Sequence, residues 1–505
     1  MKNFLTLSLV AAAATTMAFG STADDIADLQ AQIDKLKSNQ SKIKAHTAND
    51  NIKWGVDLRT GIDNINYDMA DGSTRGNDSL MSMRLWLNMA YAPDSHNIFK
   101  GRLSMNKAFG ADFGDMSTNR AFSMGTMFDW TGNTALADSH LKVSEAYWLY
   151  LGDNAFGLDM PWTFSLGRRP SGTGFLAHLR EDDPSSSPLA HVINVEFDGL
   201  STKLDLSNIT GVPGMSFKVC MGRGSTNATP MFADSTPYAE NDGLENIDLG
   251  GFIFEPYNDG QFIVKTTWYR AFNLPGMTVD DTGTPTGFKQ YGNMDGAAIS
   301  VLVDGLTEDG YFADAKVFGS FAWTKTNPDT GEAMLGSTDS ESGTSYWLGA
   351  QLPVTEKGLV GLEYNHGSQY WRPFTYAEDT MIGSKIAARG DAWEAYFTYQ
   401  ITDALSAQAR YTNIDYDYMG SQGFFGNTSG NAMKIDTVKD GAGMFDQMAQ
   451  PAGITPDMTP EQMVGALMGA GATQEQAQGM VMSKGMVGQV VESAQDFRFY
   501  LRYRF

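Results

Sequence analysis

The chain has little of three things that would each define a class of protein. It contains one cysteine, Cys220, among 505 residues, which excludes a disulfide scaffold and a zinc or iron–sulfur site built from cysteines. No segment after residue 20 holds eighteen apolar residues in a row, so a protein that crosses a membrane with helices is excluded. Lys and Arg number 36 against 59 Asp and Glu, and the net charge of −23 argues against a general nucleic-acid binder.

The first twenty residues predict an export signal. Lys2 supplies the positive start, residues 4–19 form an apolar and small-residue core, and small residues allow cleavage after residue 20 or after residue 23. A buried N-terminal helix is the alternative. No cysteine follows the core, so a lipid-anchored lipoprotein is excluded, and the mature chain is expected to be exported and acidic.

Residues 24–46 predict a short periplasmic coiled-coil helix. Acidic residues lie in its first turn and lysines towards its end, an order that suits the helix dipole. About three heptads are marginal for an isolated coil, so the helix needs partner chains, and a homotrimer is the expected assembly. The alternative is a frayed spacer. The apolar seam consists of Ile26, Leu29, Ile33 and Leu36.

From residue 52 onward the pattern changes to strict alternation. In 52–59, for example, Ile, Trp, Val and Leu alternate with Lys, Gly, Asp and Arg. Segments of about ten such residues have the length of a tilted strand that crosses a bilayer. Sixteen segments are predicted, with a range of 14 to 18, near 52–61, 79–92, 97–108, 141–152, 161–169, 199–208, 213–222, 246–256, 260–271, 294–304, 311–324, 342–352, 357–366, 391–401, 404–418 and 496–505.

The connections between these segments alternate between short and long. Tight turns such as 92–96 and 402–403 alternate with long loops, among them 62–78, 272–293 and 419–495. Short turns on one side and long loops on the other are typical of an antiparallel up-and-down barrel in the outer membrane, here spanning 51–505. In the longest loop, Thr459 and Thr473 predict two helix starts, so 419–495 is expected to be a helical extracellular insertion.

The last ten residues, 496–505, alternate without a break and end in Phe505. A final strand that ends in phenylalanine resembles the assembly signal of outer-membrane barrel proteins, carried here by Tyr503 and Phe505. The alternative is an ordinary edge strand, which would expose its large apolar residues and invite aggregation. The predicted outward face consists of Phe497, Phe499, Leu501, Tyr503 and Phe505.

The chain as a whole resembles porin-like outer-membrane proteins with a short N-terminal coiled coil. The segment 416–426, YDYMGSQGFFG, is similar to one uncharacterised porin-like family, and 197–200 and 167–170 are compatible with it. The resemblance covers the barrel from about residue 50 onward. It implies the fold and a location in the outer membrane of a Gram-negative bacterium, and it implies no substrate.

Alternation also assigns the charged residues to the lumen. A charge that faces lipid at mid-depth costs about 2–4 kcal/mol, so the basic side chains of the strands are expected to point inward. Strands 15, 16, 1, 2 and 3 are consecutive round the barrel and form an arginine wall. The predicted inward residues are Arg59, Arg84, Arg102, Arg169, Lys218, Lys265, Arg410, Arg498 and Arg502.

The third long loop, 170–198, carries an acidic cluster of Glu181, Asp182 and Asp183. It is similar to the loop of general-diffusion porins that follows the fifth strand, folds inward and places acids opposite an arginine wall. Opposed charges of this kind set up a transverse field across a pore constriction. A solvated surface loop is the alternative.

Enzyme and metal sites have weak support. Two of the six histidines, His178 and His191, share the third loop with acids, so a metal site there is the alternative to an ordinary loop. No Gly-x-Ser-x-Gly motif occurs, although the catalytic residues of barrel hydrolases are scattered in sequence. Methionines are frequent in 441–490, where a copper(I) site is the alternative to adaptable apolar packing. No cofactor is expected.

The sequence therefore predicts a porin-like channel for passive diffusion of small hydrophilic or ionic solutes through the lipid of the outer membrane. Two alternatives stay open. One is a surface barrel with a plugged lumen whose large loops bind a partner, and the other is an outer-membrane hydrolase.

Overall fold

The alternating segments form strands that pair all the way round a closed barrel. Sixteen strands in the described part of the chain form one antiparallel sheet, in which consecutive barrel strands are neighbours and the last pairs with the first. Closure leaves no free edge, so backbone groups along the sheet have partners on both sides. The computed structural model describes residues 52–111, 136, 139–170, 173–229, 231, 235–240, 243, 245–279, 285–375 and 380–505.

The bounds of the elements follow the chain order. The barrel strands are β1 (Lys53–Met69), β2 (Thr74–Tyr91), β3 (Asn97–Ala108), β4 (Lys142–Gly152), β5 (Trp162–Pro170), β7 (Glu196–Asp205), β8 (Ser216–Ser225), β9 (Ile247–Asn258), β10 (Phe262–Val279), β11 (Pro285–Asp304), β12 (Lys316–Pro328), β13 (Ser342–Thr355), β14 (Gly358–Gly367), β16 (Gly390–Gln400), β17 (Leu405–Tyr416) and β18 (Val491–Arg504). Two short strands, β6 (Ile193–Asn194) and β15 (Phe374–Thr375), pair with each other in parallel. The helices are α1 (Ala177–Glu181), α2 (Ser207–Thr210), α3 (Asn427–Gly430), α4 (Ile435–Ala449), α5 (Pro460–Gly469) and α6 (Gln474–Met486).

The two faces of the sheet differ in polarity as alternation requires. On β18 and at the residue that follows it, Phe497, Leu501 and Phe505 are exposed, and Phe505 is 67% exposed, whereas Arg498 and Arg502 are buried. An apolar outer face and a charged inner face are the pattern of a barrel that lies in lipid. The predicted fold class and the predicted count of sixteen strands are confirmed. No helix among the described residues is long and apolar enough to cross a membrane.

Two of the expected long loops are strands instead. Residues 62–78 belong to β1 and β2, which are joined by a four-residue turn, and most of 272–293 belongs to β10 and β11. The outward positions of the first hairpin carry polar residues such as Asn64 and Asn66, so the apolar alternation ends before the strand pairing does. In the other hairpin, Pro275 and a register shift after Ala271 interrupt the pattern.

The longest loop folds as a helical insertion. Its helix starts at Thr459 and Thr473 are confirmed. Each threonine side chain accepts a hydrogen bond from the backbone N–H of the third helical residue, Gln462 or Gln476, and the side chain of that glutamine accepts one from the backbone N–H of the threonine. Buried Phe445, Leu467 and Met480 pack α4, α5 and α6 together. The insertion ends at residue 490 rather than 495, since β18 begins at Val491.

The signal segment 1–20, the helix 24–46 and its seam lie outside the described residues. They stay predictions of the sequence.

The final residue offers a test of the assembly signal. The backbone of Phe505 exchanges two hydrogen bonds with Val56, at 2.9 and 3.0 Å, so Phe505→Ala keeps the closing pair and removes only the ring. We expect slower accumulation of folded barrel in the outer membrane, measured by pulse-chase and heat-modifiable gel mobility. Phe397→Ala, which removes another exposed outward ring, is the control. Equal assembly rates for the two variants would show that the terminal ring has no special role.

Candidate functional site in the barrel lumen

The third loop, defined here by its described residues 173–195, lies inside the barrel. Leu176 and Leu179 are buried against Phe318 and Trp347 on β12 and β13. The side-chain amide of Gln351 donates to the carbonyl oxygen of Leu179 at 2.8 Å. The loop therefore packs against the inner face of the barrel over β11–β13 instead of extending into solvent.

The predicted wall arginines of β1, β2, β17 and β18 are buried, and each is paired: Arg59, Arg84, Arg410, Arg498 and Arg502. Arg84 lies 3.3 Å from a carboxylate oxygen of Asp57, which also binds Arg502 on β18. Arg498 pairs with Asp63 in the same way. The wall is therefore a ladder of ion pairs and not a bare positive surface.

Arg102 extends the wall to β3. Its guanidinium lies 2.9 Å from a carboxylate oxygen of Glu145, and it donates to the side-chain oxygen of Asn88 at 2.7 Å. The guanidinium groups of Arg84 and Arg102 also stack on the ring of Trp86, at 3.6 and 4.2 Å from its centroid. These contacts fix the two arginines in place against the wall.

Glu181, at the end of α1, inserts into this wall. One carboxylate oxygen lies 2.9 Å from Arg410 and the other lies 3.3 Å from Arg59. The hydroxyl of Tyr500 donates to the second oxygen at 2.6 Å. Arg180 beside it reaches Glu394 on β16 at 3.1 Å, so the tip of the loop is held by charged groups from three strands and by a hydroxyl from a fourth.

The charge state of Glu181 follows from its surroundings. Burial acts to raise the pKa of its carboxyl group, but the guanidinium groups around it hold that pKa well below its usual range. The side chain is therefore ionised at neutral pH. Its ion pairs contribute stability above its ordinary pKa, and that contribution is lost only as the pH falls through the depressed value.

The next two acidic residues lie towards the short-turn end of the barrel. Asp183 pairs with Arg502 and lies 3.5 Å from Arg504. Asp182 lies 2.9 Å from Arg504, and its side chain is 83% exposed. The structure thus brings the acidic cluster into the lumen beside the arginines. Glu181 and Asp183 are in direct contact with arginines of the wall, and the transverse field stays a prediction.

Arg169, which was predicted to point inward, lies apart from the arginine wall. Its guanidinium donates to the hydroxyls of Ser165 and Ser201, at 2.8 and 2.6 Å, on β5 and β7. It faces a cavity of about 1080 Å³ that extends from the short-turn rim, at Lys53 and Phe505, over β1–β5 and β8–β10. A second space, of only about 10 Å³, lies at the arginine wall itself.

The carboxylates of the wall were missed by the sequence reasoning. Asp57, Asp63 and Glu394 are buried ion-pair partners on β1 and β16. The signal was present, because Asp57 and Asp63 share the parity of Arg59, and the same alternation that turns the arginine inward turns them inward too.

The loop histidines are structural. His191 is buried, with its ring nitrogens 2.8 and 2.9 Å from the hydroxyls of Ser320 and Ser345, and burial lowers its pKa to about 3. Burial, together with nearby Lys265, lowers the pKa of His178 to about 4. Both are neutral at physiological pH. Among the described residues no three His, Cys, Asp or Glu side chains are grouped so that they could hold a metal ion.

A closed sixteen-stranded barrel with an apolar outer face, a charged lumen and an inserted third loop defines the class: a porin-like outer-membrane β-barrel. The chain belongs to the family described as a protein of unknown function (DUF3373), whose model matches residues 74–456. Comparison with curated proteins finds no relative.

Several solved outer-membrane proteins are similar in structure. OmpT of Vibrio cholerae is 12% identical, with 90% of this chain and 97% of that chain covered and a TM-score of 0.42. The anion-selective porin from Comamonas acidovorans is 11% identical, with 90% and 99% covered and a TM-score of 0.43. OprB of Pseudomonas putida is 11% identical, with 90% and 94% covered and a TM-score of 0.44.

Removing the charge of Glu181 tests whether it holds the loop. Glu181→Gln leaves Arg410 buried without its carboxylate partner on the loop, so we expect the free energy of unfolding to fall by roughly 3–5 kcal/mol. Denaturant unfolding of the folded barrel measures it. The control Asp182→Asn breaks an exposed pair and is expected to cost about 1 kcal/mol or less. Similar losses for both variants would contradict the anchoring role.

Proposed function

We propose that the protein is a channel in the outer membrane of a Gram-negative bacterium, through which small hydrophilic and ionic solutes diffuse passively, and that it catalyses no reaction. The observation that carries the proposal is the cavity of about 1080 Å³ inside a closed barrel, lined by charged and polar side chains and continuous with the short-turn rim. A wide polar lumen behind an apolar outer face is what a diffusion channel requires.

The proposed path follows the β1–β5 and β8–β10 side of the lumen. The third loop fills the side over β11–β13 and reaches across the lumen to the arginine wall, where Glu181 contacts Arg59 and Arg410. The loop therefore acts as the constriction by occupying part of the cross-section. Since the wall charges are paired with carboxylates, selectivity depends on the cavity cations Arg169 and Lys218, and a weak anion preference follows.

A second candidate is a surface barrel with a plugged lumen that binds a partner through its loops. The observation that favours it is the packing of the loop after β14, where Arg389 is fully buried. Its guanidinium donates to the carbonyl oxygens of Trp371, Met419 and Gly430, at 2.9, 2.7 and 3.0 Å. These bonds tie the loop after β14 to the insertion after β17.

Conductance distinguishes the two candidates. The purified protein in planar bilayers is expected to give discrete conductance steps, with a reversal potential in a salt gradient that shows weak anion preference. Arg169→Gln should shift that potential towards cations, because it removes a cavity charge. The control Arg223→Gln removes an exposed arginine paired with Asp248, away from the cavity lining, and should not shift it. Absence of conductance would favour the plugged barrel.

We further propose that the helix 24–46 joins protomers as a homotrimer through its seam. A photo-cross-linking residue in place of Ile33 should yield products of two and three chains in native membranes. The same residue in place of Asp34, off the seam, is the control. Monomer alone from position 33 would overturn the trimer.

A further inference from the structure

Two cations that line the cavity differ from those of the arginine wall. The guanidinium of Arg169 donates only to serine hydroxyls among the described residues, and its buried Nε has no hydrogen-bond partner there. The ammonium of Lys218 donates to the hydroxyl of Ser187 on the third loop at 2.9 Å. In the part of the chain that the structure describes, neither has a carboxylate within ion-pair distance.

Strand register concentrates positive charge at this place. Lys218 on β8 stands directly opposite Lys203 on β7, and Ser201, which binds Arg169, stands opposite Cys220. Like charges at directly opposed positions destabilise a sheet unless an anion lies between them. Lys265 also lies nearby, but it has a partner, since its ammonium is 3.6 Å from a carboxylate oxygen of Glu255.

Part of the remaining cavity surface is apolar. Val195 and Ile193 of the third loop line it, together with Phe197, Leu249 and Ile253 of the barrel wall. A hydrated inorganic ion gains nothing from such a surface, whereas an organic anion buries its apolar body there. A guanidinium flanked by hydroxyl groups matches the planar fork of a carboxylate.

We propose that this cavity binds organic monocarboxylates with an apolar body. The carboxylate lies between Arg169 and Lys218, and the body lies against the surface around Ile253. The proposal rests on the proposed function for its route of entry, since the cavity is also the proposed solute path.

Cys220 supplies a reporter inside the site. It lines the cavity and is the one cysteine of the 505-residue chain. We expect an anionic methanethiosulfonate reagent to label it about tenfold faster than a cationic one, because the local cations concentrate anions. Each rate is divided by the rate of the same reagent with a free thiol. Lys218→Gln should abolish most of the difference, whereas Lys357→Gln, an exposed lysine in a short turn away from the cavity lining, should keep it.

Protection by 2-naphthoate tests the ligand class in native membrane vesicles. Naphthoate should slow the labelling of the unmodified protein and of Lys357→Gln but not of Lys218→Gln. Equal protection by the neutral 2-naphthamide would overturn the role of the cations, and equal protection by acetate would overturn the role of the apolar surface.

Equilibrium dialysis of naphthoate against the same variants gives a second readout, and equal binding to Lys218→Gln and Lys357→Gln would overturn the site. Protection without conductance in bilayers would refute the channel and leave the site standing.

Discussion

The contact between Glu181 and the arginines of the wall determines how the lumen is arranged. Arg410 and Arg59 are buried on adjacent parts of the wall, and a buried guanidinium is stable only with a partner. The barrel strands supply part of the required negative charge, and the third loop supplies the rest. To deliver that carboxylate the loop must cross the lumen, so it covers β11–β13 and leaves the other side as a cavity.

Paired and unpaired charges serve different ends in this barrel. The pairs of Asp57 with Arg84 and Arg502 hold strands together across the closure, where β1 meets β18. Paired charges attract solutes weakly because their fields cancel within a few ångströms. Arg169 and Lys218, which have only hydroxyl partners among the described residues, keep their charge available to a solute.

The strands were predictable because the bilayer imposes one rule on every one of them. Lipid on one side and water on the other make residues alternate, so β18 could be predicted from Asp496 onward by its apolar outward positions, whereas its first five residues were missed. Where a strand extends beyond the lipid, as β1 does past Ile62, its outward side chains become polar and the rule no longer applies, although the backbone pairing continues. The first hairpin was therefore predicted too short.

The site was predictable only in part. Alternation predicts that Arg59 and Arg410 point inward, and the acidic run at 181–183 indicates an inward loop. Neither pattern gives the distance between the acidic residues and the arginines. That distance depends on packing of Leu176 and Leu179 against the far wall, which no local pattern encodes. The separate role of Arg169 was hidden for the same reason, since it depends on which serines lie within its reach.

The central claim is that the arginine wall holds the third loop inside the lumen. A double-mutant cycle between Glu181 and Arg410 tests this claim most directly. The free energies of unfolding of Glu181→Gln, Arg410→Gln and the double variant are compared. A second cycle, with Arg102→Gln in place of Arg410→Gln, is the uncoupled reference, because the partner of Arg102 is Glu145. The account predicts a coupling of roughly 0.5–3 kcal/mol for Glu181 with Arg410 and close to none with Arg102. Additive losses for Glu181 and Arg410 would contradict it.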